Sequence, residues 1–481
     1  MKFLRMQSKS PLLAGCFILV ITILMLPAAA RRVAGEEPPV FAITNAKVIP
    51  VSAPTIEKGT VVIRDGIIEA VGADVPIPGD ARVIDAAGLV LYPGLIDGLT
   101  DTGLEEAQTA SQTPAPSRVP GPPAPAPAAP QQQPDLSPDE RQGVTPYRQA
   151  ADLLNPGNKK IESSRAAGIT TALVAPRGGT FTGQCSLINL AGAEAGGMIL
   201  KTPVAFSISL ASSRGFGKGY PSSPMGVLAL VRQTLLDAQR YSKAWSLYNA
   251  NPGARRPEHS RALEALQPLM RQQVPAIFPA DSPTEIQRVL DLAAAFKISV
   301  ILSSGMEAGK IASVLRERNV PVLLSVKYPE REKDADPEGR EELTALRRRV
   351  EAPACAAALA KAGVKFAFQS GDMANPKDFI RNVARAVEAG LDRDIAVRAL
   401  TLTPAEIFGV ADRVGSIEKN KTANLILVTG DIFNADTRVK YAFVDGRKFD
   451  ITEPDTRRER DAEPSGPPDP GSSRGLHAPQ D

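Results

Sequence analysis

Two histidines, His259 and His477, are the whole imidazole supply of this 481-residue chain. His259 sits in the polar run Arg255-Arg256-Pro257-Glu258-His259, and His477 in a polar, Pro/Gly-rich tail. Neither follows an apolar, strand-like run. A catalytic zinc normally takes three protein ligands, imidazoles foremost among them, so a multi-histidine zinc centre cannot be assembled from this inventory. Cys185, after Gly183-Gln184, offers a thiol. A thiolate nucleophile needs a neighbouring base, and no histidine stands near it, so it reads as a packing residue. What remains is oxygen chemistry. The run Pro93-Gly94-Leu95-Ile96-Asp97-Gly98-Leu99-Thr100-Asp101 presents two carboxylates at the end of an apolar strand. Oxygen-only sites suit hard cations such as calcium, magnesium or manganese.

The elements that would position these residues fall into two kinds. Short strands dominate both ends. Ala42–Ile49, the pair of runs flanking Asp65-Gly66, Arg82-Val83-Ile84-Asp85 and Leu89-Val90-Leu91-Tyr92 come first. Asp-Gly between two alternating runs is a strong hairpin signal. Similar β sequence returns at Leu425-Ile426-Leu427-Val428 and over residues 439–447. Between them, apolar strands alternate with helical stretches: Thr170-Thr171-Ala172-Leu173-Val174, Ala276-Ile277-Phe278, Val300-Ile301-Leu302, Val322-Leu323-Leu324 and Phe366-Ala367-Phe368. Such alternation implies parallel β/α units, and the count fits a closed barrel. The expected architecture is α/β: a (β/α)8 TIM-like barrel over residues 93–107 and 142–404, with a small β-sandwich domain over residues 38–92 and 405–450. Residues 108–141 are rich in Pro, Ala and Gln and cannot bury a core. They form an expected disordered insertion at the barrel mouth, and residues 451–481 a similar tail.

Composition narrows the function classes. With 56 basic against 53 acidic residues, the net charge is +3, which gives no basic field for nucleic acid. Lys2, Arg5 and Lys9, the apolar run over residues 12–27 and Ala28-Ala29-Ala30 make an export-signal pattern over residues 1–30. The run is shorter than the roughly 20 residues of a membrane span. The expectation is an exported, periplasmic or secreted protein with no membrane span after signal cleavage; retention as an N-terminal anchor is the alternative. Leu13-Ala14-Gly15-Cys16 matches a lipoprotein box, but the apolar run continues past the cysteine. Cys185 and Cys355 then remain. An oxidising compartment permits their pairing, and two buried, unpaired thiols are the preferred reading.

The split β unit around a barrel, with Pro93-Gly94-Leu95-Ile96-Asp97 at the junction, resembles the amidohydrolase superfamily, and most closely its imidazolonepropionase-like branch. Leu154-Asn155-Pro156, Ala166-Ala167-Gly168-Ile169-Thr170-Thr171, a glycine-rich stretch at Gly178-Gly179 and Gly183-Gln184, Thr403-Pro404-Ala405-Glu406 and Lys421-Thr422-Ala423-Asn424-Leu425 follow that branch in order. The resemblance implies one or two divalent metals at the barrel mouth, a metal-activated water and a strand-8 aspartate as base. It also implies histidines at set positions. The first strand should give His-x-His and gives Leu99-Thr100-Asp101. The strand-5 position reads Pro279-Ala280-Asp281, the strand-6 position Ser303-Ser304-Gly305, and the strand-8 position Gln369-Ser370-Gly371-Asp372. Asp101, Asp281 and Asp372 are therefore the candidate metal ligands, with Asp372 the candidate catalytic base and Asp97 behind them. Helix capping or solvation is the preferred reading of all three, and Asp97 reads as a turn-fixing residue. Leu99, Gln184, Pro279 and Ser304 are the expected pocket residues. Lys201 stands where a bridging lysine carboxylate would be sought, and Arg347-Arg348-Arg349 reads as a helix face.

Three functions follow as expectations. The first is a pseudoenzyme without zinc chemistry or other cofactor, binding a small-molecule ligand or pairing as a homo-oligomer or with an active amidohydrolase. The second is an amide or cyclic-amide hydrolase with a carboxylate-rich divalent metal site. The third is a tethering role for the insertion and tail.

Overall fold

The structure, a computed structural model, describes residues 40–105, 137–211, 221, 223–251, 253–331 and 340–451. The stretch read as an export signal, most of the insertion, and the tail with His477 lie outside the described residues.

The chain begins as β sheet. β1 (Phe41–Val48) pairs antiparallel with β2 (Ile56–Arg64), which turns into β3 (Ile67–Gly72). Asp65 and Gly66 carry φ of 52° and 79°, the paired left-handed residues of the tight hairpin turn that Asp-Gly favours. β4 (Arg82–Asp85) runs parallel to the first half of β1, and β5 (Val90–Pro93) to its second half.

The barrel follows directly. Its strands are β6 (Leu95–Thr100), β7 (Ile169–Val174), β8 (Phe181–Asn189), β9 (Ile199–Ile208), β10 (Ala276–Ala280), β11 (Val300–Ser304), β12 (Val322–Ser325) and β13 (Phe366–Gln369). They hydrogen-bond in chain order as one eight-stranded sheet. A parallel bridge from Thr100 to Gly371 joins the last strand to the first. The outer ring is built from helices such as Pro283–Phe296. It opens on a capping box, with Ser282 Oγ accepting from the Glu285 amide and Glu285 reaching back, and it buries Ile286, Val289, Leu290, Ala293 and Phe296 against the sheet.

One strand departs from the expected β/α alternation. β8 is antiparallel to both neighbours. Only residues 175–180 separate β7 from β8, whereas a parallel return needs a crossover of about a dozen residues. A hairpin is all that length allows. The stretch Gly178-Gly179…Gly183-Gln184 is thus a turn and a strand rather than a single loop. Gly183 has a φ of 137°, and a side chain there would collide with the carbonyl of Arg148.

After the barrel, β14 (Leu425–Val428), β15 (Val439–Val444) and β16 (Arg447–Asp450) rejoin the first sheet, with β14 beside β5. In a flat sheet β15 and β1 would lie three strand spacings apart, roughly 14 Å. Yet the Phe41 and Phe443 rings stand 5.5 Å apart, and the β2–β3 turn packs against the β15–β16 turn at Gly66 and Gly446. The sheet is folded over one core of Ile43, Val61, Ile63, Ile68, Leu425, Leu427 and Phe443, the small sandwich built from both chain ends.

The two units are fastened by a buried polar network. Asn424 donates to Thr171 Oγ1 (3.0 Å) and Asn189 Oδ1 (2.9 Å), Asn189 donates to Asp445 (2.6 Å), and the Asp445 amide donates to Asn424 Oδ1 (2.8 Å). Every partner is supplied by another member, as a buried network requires.

Candidate functional site at the barrel mouth

Alternation along each strand decides which residues reach the lumen. Ile96, Leu173, Cys185, Ala205, Ile277, Ile301, Leu323 and Ala367 form one apolar cluster inside the barrel. Their neighbours Phe278, Leu302, Leu324 and Phe368 belong to the separate core under the helices. Two residues beyond the lumen layer, toward the C-terminal strand ends, stand Pro279, Ser303, Ser325 and Gln369, with Leu99 packed partly against the same cluster. These neutral side chains are the floor of the mouth. Ser303 Oγ donates to Gln369 Oε1 across 3.0 Å, both buried. Ser304 holds a φ of 74°, a left-handed conformation uncommon for serine.

The barrel closes at its seam through Asp97. This residue is 1 % exposed. It accepts from the amides of Ser370 (2.9 Å) and Leu99 (3.3 Å) and, by a short contact, from the Ser370 hydroxyl. Ser370 Oγ also meets Thr100 Oγ1 at 3.1 Å, and Thr100 meets Thr102 at 3.1 Å. Burial pushes the Asp97 carboxyl up to about 7, against the opposing pull of the Ser370 and Leu99 donors. Gly98 makes the approach possible, because a Cβ there would lie 2.7 Å from the Phe368 carbonyl.

The rim carries charge. Asp101 pairs with Lys160 (2.9 Å) and Arg177 (3.0 Å) and is 17 % exposed in its side chain. Asp372, 60 % exposed, pairs with Lys327 at 2.9 Å. The Lys327 ammonium holds its carboxyl below the usual range, with Arg177 contributing from further away. Asp281 Oδ1 accepts from the Met306 amide at 3.1 Å and so pins the loop after β11 to that after β10.

These positions revise the sequence reading in several places. Asp281 does not cap its helix; Ser282 does, and Asp281 braces a loop instead. Asp101 is neither cap nor free carboxylate but the centre of an ion-pair cluster. The turn-fixing reading of Asp97 fits its bond to the Leu99 amide, though its larger contribution joins β6 to β13. Leu99, Pro279 and Ser304 lie near the C-terminal ends of β6, β10 and β11, with Ser304 in register with the outward-facing Ala280 and Leu324. Gln184 does not face the lumen: on the reversed strand its side chain turns outward and donates to the Pro146 carbonyl at 3.2 Å. Cys185 lies wholly buried in the lumen cluster, its thiol pushed up to about 12 by burial, so it is no nucleophile. Both Cys185 and Cys355 are free and buried. Lys201 donates to the carbonyl of Phe408 at 2.7 Å, near the end of β9 remote from the mouth. In the triple arginine, Arg348 and Arg349 pair with Glu307 and Glu341. Sequence reasoning missed Ser303, Ser325, Gln369, Ser370 and the rim cations. For Ser303, Ser325 and Gln369 the signal was the period of two, counted from the lumen residues; Ser370 and the rim cations had none.

The sequence profile described as the amidohydrolase family matches residues 282–449. An amidohydrolase from Thermotoga maritima MSB8 is 26 % identical and superposes with a TM-score of 0.69, over 85 % of this chain and 100 % of that one. Over residues 282–449 the chain is similar in sequence to the amidohydrolase family, and its barrel with a separate sheet domain matches the amidohydrolase fold. At lower identity, another amidohydrolase structure (16 %, TM-score 0.53, 86 % of this chain and 99 % of that one) and a putative prolidase from Bifidobacterium longum (16 %, TM-score 0.52, 86 % and 95 %) share the fold. None of the curated proteins matches. Relatives in this superfamily usually hold a divalent metal where the barrel strands end. In this barrel the carboxylates near those ends are already engaged, Asp101 and Asp372 by cations and Asp281 by a backbone amide. Among the described residues no group of three or more His, Cys, Asp or Glu side chains is placed to hold a metal ion. The described donor set does not fit the superfamily's metal centre.

Proposed function

We propose that this protein is a degenerate amidohydrolase, of the imidazolonepropionase-like branch, that has exchanged hydrolytic zinc chemistry for ligand binding or for a partner-subunit role. One observation carries the reading. The layer of the lumen from which metal ligands should point holds Pro279, Ser303, Ser325 and Gln369, and two of these satisfy each other. Neutral hydroxyl and amide groups over an aliphatic plug can bind a small polar molecule by hydrogen bonds. They cannot lower the pKa of a water as a Lewis acid does. The leader pattern at residues 1–30 supports export, and no helix of the described residues is long and apolar enough to cross a membrane.

The competing function, an amide or cyclic-amide hydrolase on a carboxylate-rich metal site, requires Asp101 and Asp372 to leave Lys160, Arg177 and Lys327. Elemental analysis of the mature protein, purified without a polyhistidine tag or chelator, separates the two. Less than a tenth of an equivalent of zinc, manganese, magnesium or calcium is expected. Near-stoichiometric metal that vanishes in an Asp101→Ala, Asp372→Ala double variant would overturn the proposal and restore the hydrolase.

A further inference from the structure

The floor of the mouth holds donors that the protein itself does not use. Ser303 Oγ donates to Gln369 Oε1, which occupies the acceptor end of that amide and fixes where its other end points. Gln369 Nε2 then meets no acceptor among the described residues, in a residue only 5 % exposed. The nitrogen is nonetheless in contact with solvent, so its N–H groups face the open side of the lumen. Ser325 is 6 % exposed and stands beside Gln369 in the strand register. Its Oγ accepts from the Lys327 amide at 3.2 Å, and its O–H donates to none of the described residues. Pro279, two positions beyond the lumen residue Ile277, is exposed, so solvent reaches down to this layer.

The charges above this floor lean one way. Arg177 follows β7, Lys327 follows β12, and both act on Asp372 at the end of β13, the strand that carries Gln369. With Lys160, three cations face the two carboxylates Asp101 and Asp372. Asp281 does not redress the balance, because it acts on Arg348 and Cys355 on the helix side of the barrel. The mouth therefore offers unused donors at its floor and an excess of positive charge at its rim.

We propose that the mouth binds a small monocarboxylate, its oxygens on Gln369 Nε2 and the Ser325 hydroxyl and its apolar body over Pro279. The inference rests on the reading of this barrel as a metal-free ligand binder. An ionised carboxylate is an acceptor only, which is what two unused donors ask for. A primary amide would bring N–H groups of its own, and beyond Gln369 Oε1, already taken, the floor has only hydroxyl oxygens to receive them. A doubly charged phosphate or sulfate suits the site less well. The rim cations are already shared with Asp101 and Asp372, and a second negative charge over a buried floor would go uncompensated.

The probes are acetate, propanoate, butanoate and benzoate, each set against its own primary amide. Binding to the full chain is followed by saturation-transfer NMR and titration calorimetry, before and after metal is stripped on a chelating resin. At least one acid should bind saturably and unchanged by stripping, with its amide about tenfold weaker or more, the margin expected of a hydrogen bond to a charged group. Gln369→Glu keeps an acceptor for Ser303 and sets a carboxylate against the ligand, so acid binding should be lost. Ser325→Ala, a smaller change that circular dichroism should show to leave the fold intact, should weaken the acid by about tenfold. No saturable binding by any of the four acids would overturn the inference and leave the metal-free barrel standing. So would amides that bind as tightly as the acids, or an affinity unchanged in Gln369→Glu. Acid binding that disappears on stripping and returns with zinc would overturn both, because the carboxylate would then sit on a metal.

Discussion

The pH response of the barrel seam follows from Asp97. Its native carboxyl protonates near 7, while an unfolded aspartate waits until about 3.8. Between those values the folded chain binds the extra proton, so stability falls as pH rises from about 4 to 7 and then levels off. At about 1.4 kcal/mol per pH unit, the whole swing is about 4 kcal/mol. With an unfolding entropy of about 2.1 cal/mol/K per residue, that is about 4 °C in Tm for a chain of this size. Asp97→Asn isolates the effect. The amide can keep an acceptor for the Ser370 and Leu99 N–H groups and offer a donor to the Ser370 hydroxyl, imitating the protonated acid. Other titrations are common to both proteins and cancel in the difference. Scanning calorimetry at pH 5 and pH 8.5 spans the upper two pH units of that window, about 3 kcal/mol, and should therefore show the Asn variant gaining about 3 °C on the native chain at the higher pH. A Tm difference that is the same at both pH values would refute the reasoning, by showing that the three donors outweigh burial and keep the carboxylate ionised throughout.

Three further outcomes are expected. Asn424→Ala removes bonds to Thr171, Asn189 and the Asp445 amide at once; at about 1 kcal/mol each, denaturant unfolding should show a loss of about 3 kcal/mol and separate transitions for sandwich and barrel. Gly183→Ala places a methyl against the Arg148 carbonyl at a φ of 137°. It should cost about 1–3 kcal/mol and free the segment before Gln184, read as faster amide exchange there. Neither Cys185 nor Cys355 should react with an aromatic disulfide reagent in the native protein, both being buried, and both should react in denaturant.

Much of the architecture was legible in the sequence because it rests on local rules. Asp65-Gly66 specified its hairpin, and the apolar runs at Ile277, Ile301, Leu323 and Ala367 specified lumen strands by periodicity. The reversed β8 was not legible. Its glycines signal a loop, and only the shortness of the link from Val174 to Phe181 hints that no helix can intervene. The second turn, at Asp445-Gly446 (φ 51° and 72°), carries the same dipeptide in a weaker context: Arg447-Lys448-Phe449-Asp450 beyond it is mostly polar, so no second apolar strand announces the hairpin. At the mouth, residue types showed that imidazoles were lacking but not what the aspartates would do instead. Asp101 meets Lys160 and Arg177 through separations of 59 and 76 positions. Ion pairs of that kind are set by tertiary packing and leave no spacing to read.

The reversed strand also bears on how the barrel is assembled. β7, β8 and β9 join through two antiparallel turns within some forty consecutive residues, whereas Asp97 and Ser370 are 273 positions apart. Contacts between near neighbours form at small entropic cost, and closing a chain of that length comes late. The meander is expected to gather first and serve as a template on which the parallel strands add in turn, the Asp97 latch engaging last. Hydrogen exchange pulsed during refolding should then protect the amides of β8 before those of Ser370 and Gly371, the order in which a cylinder sewn from one edge is finished at its hem.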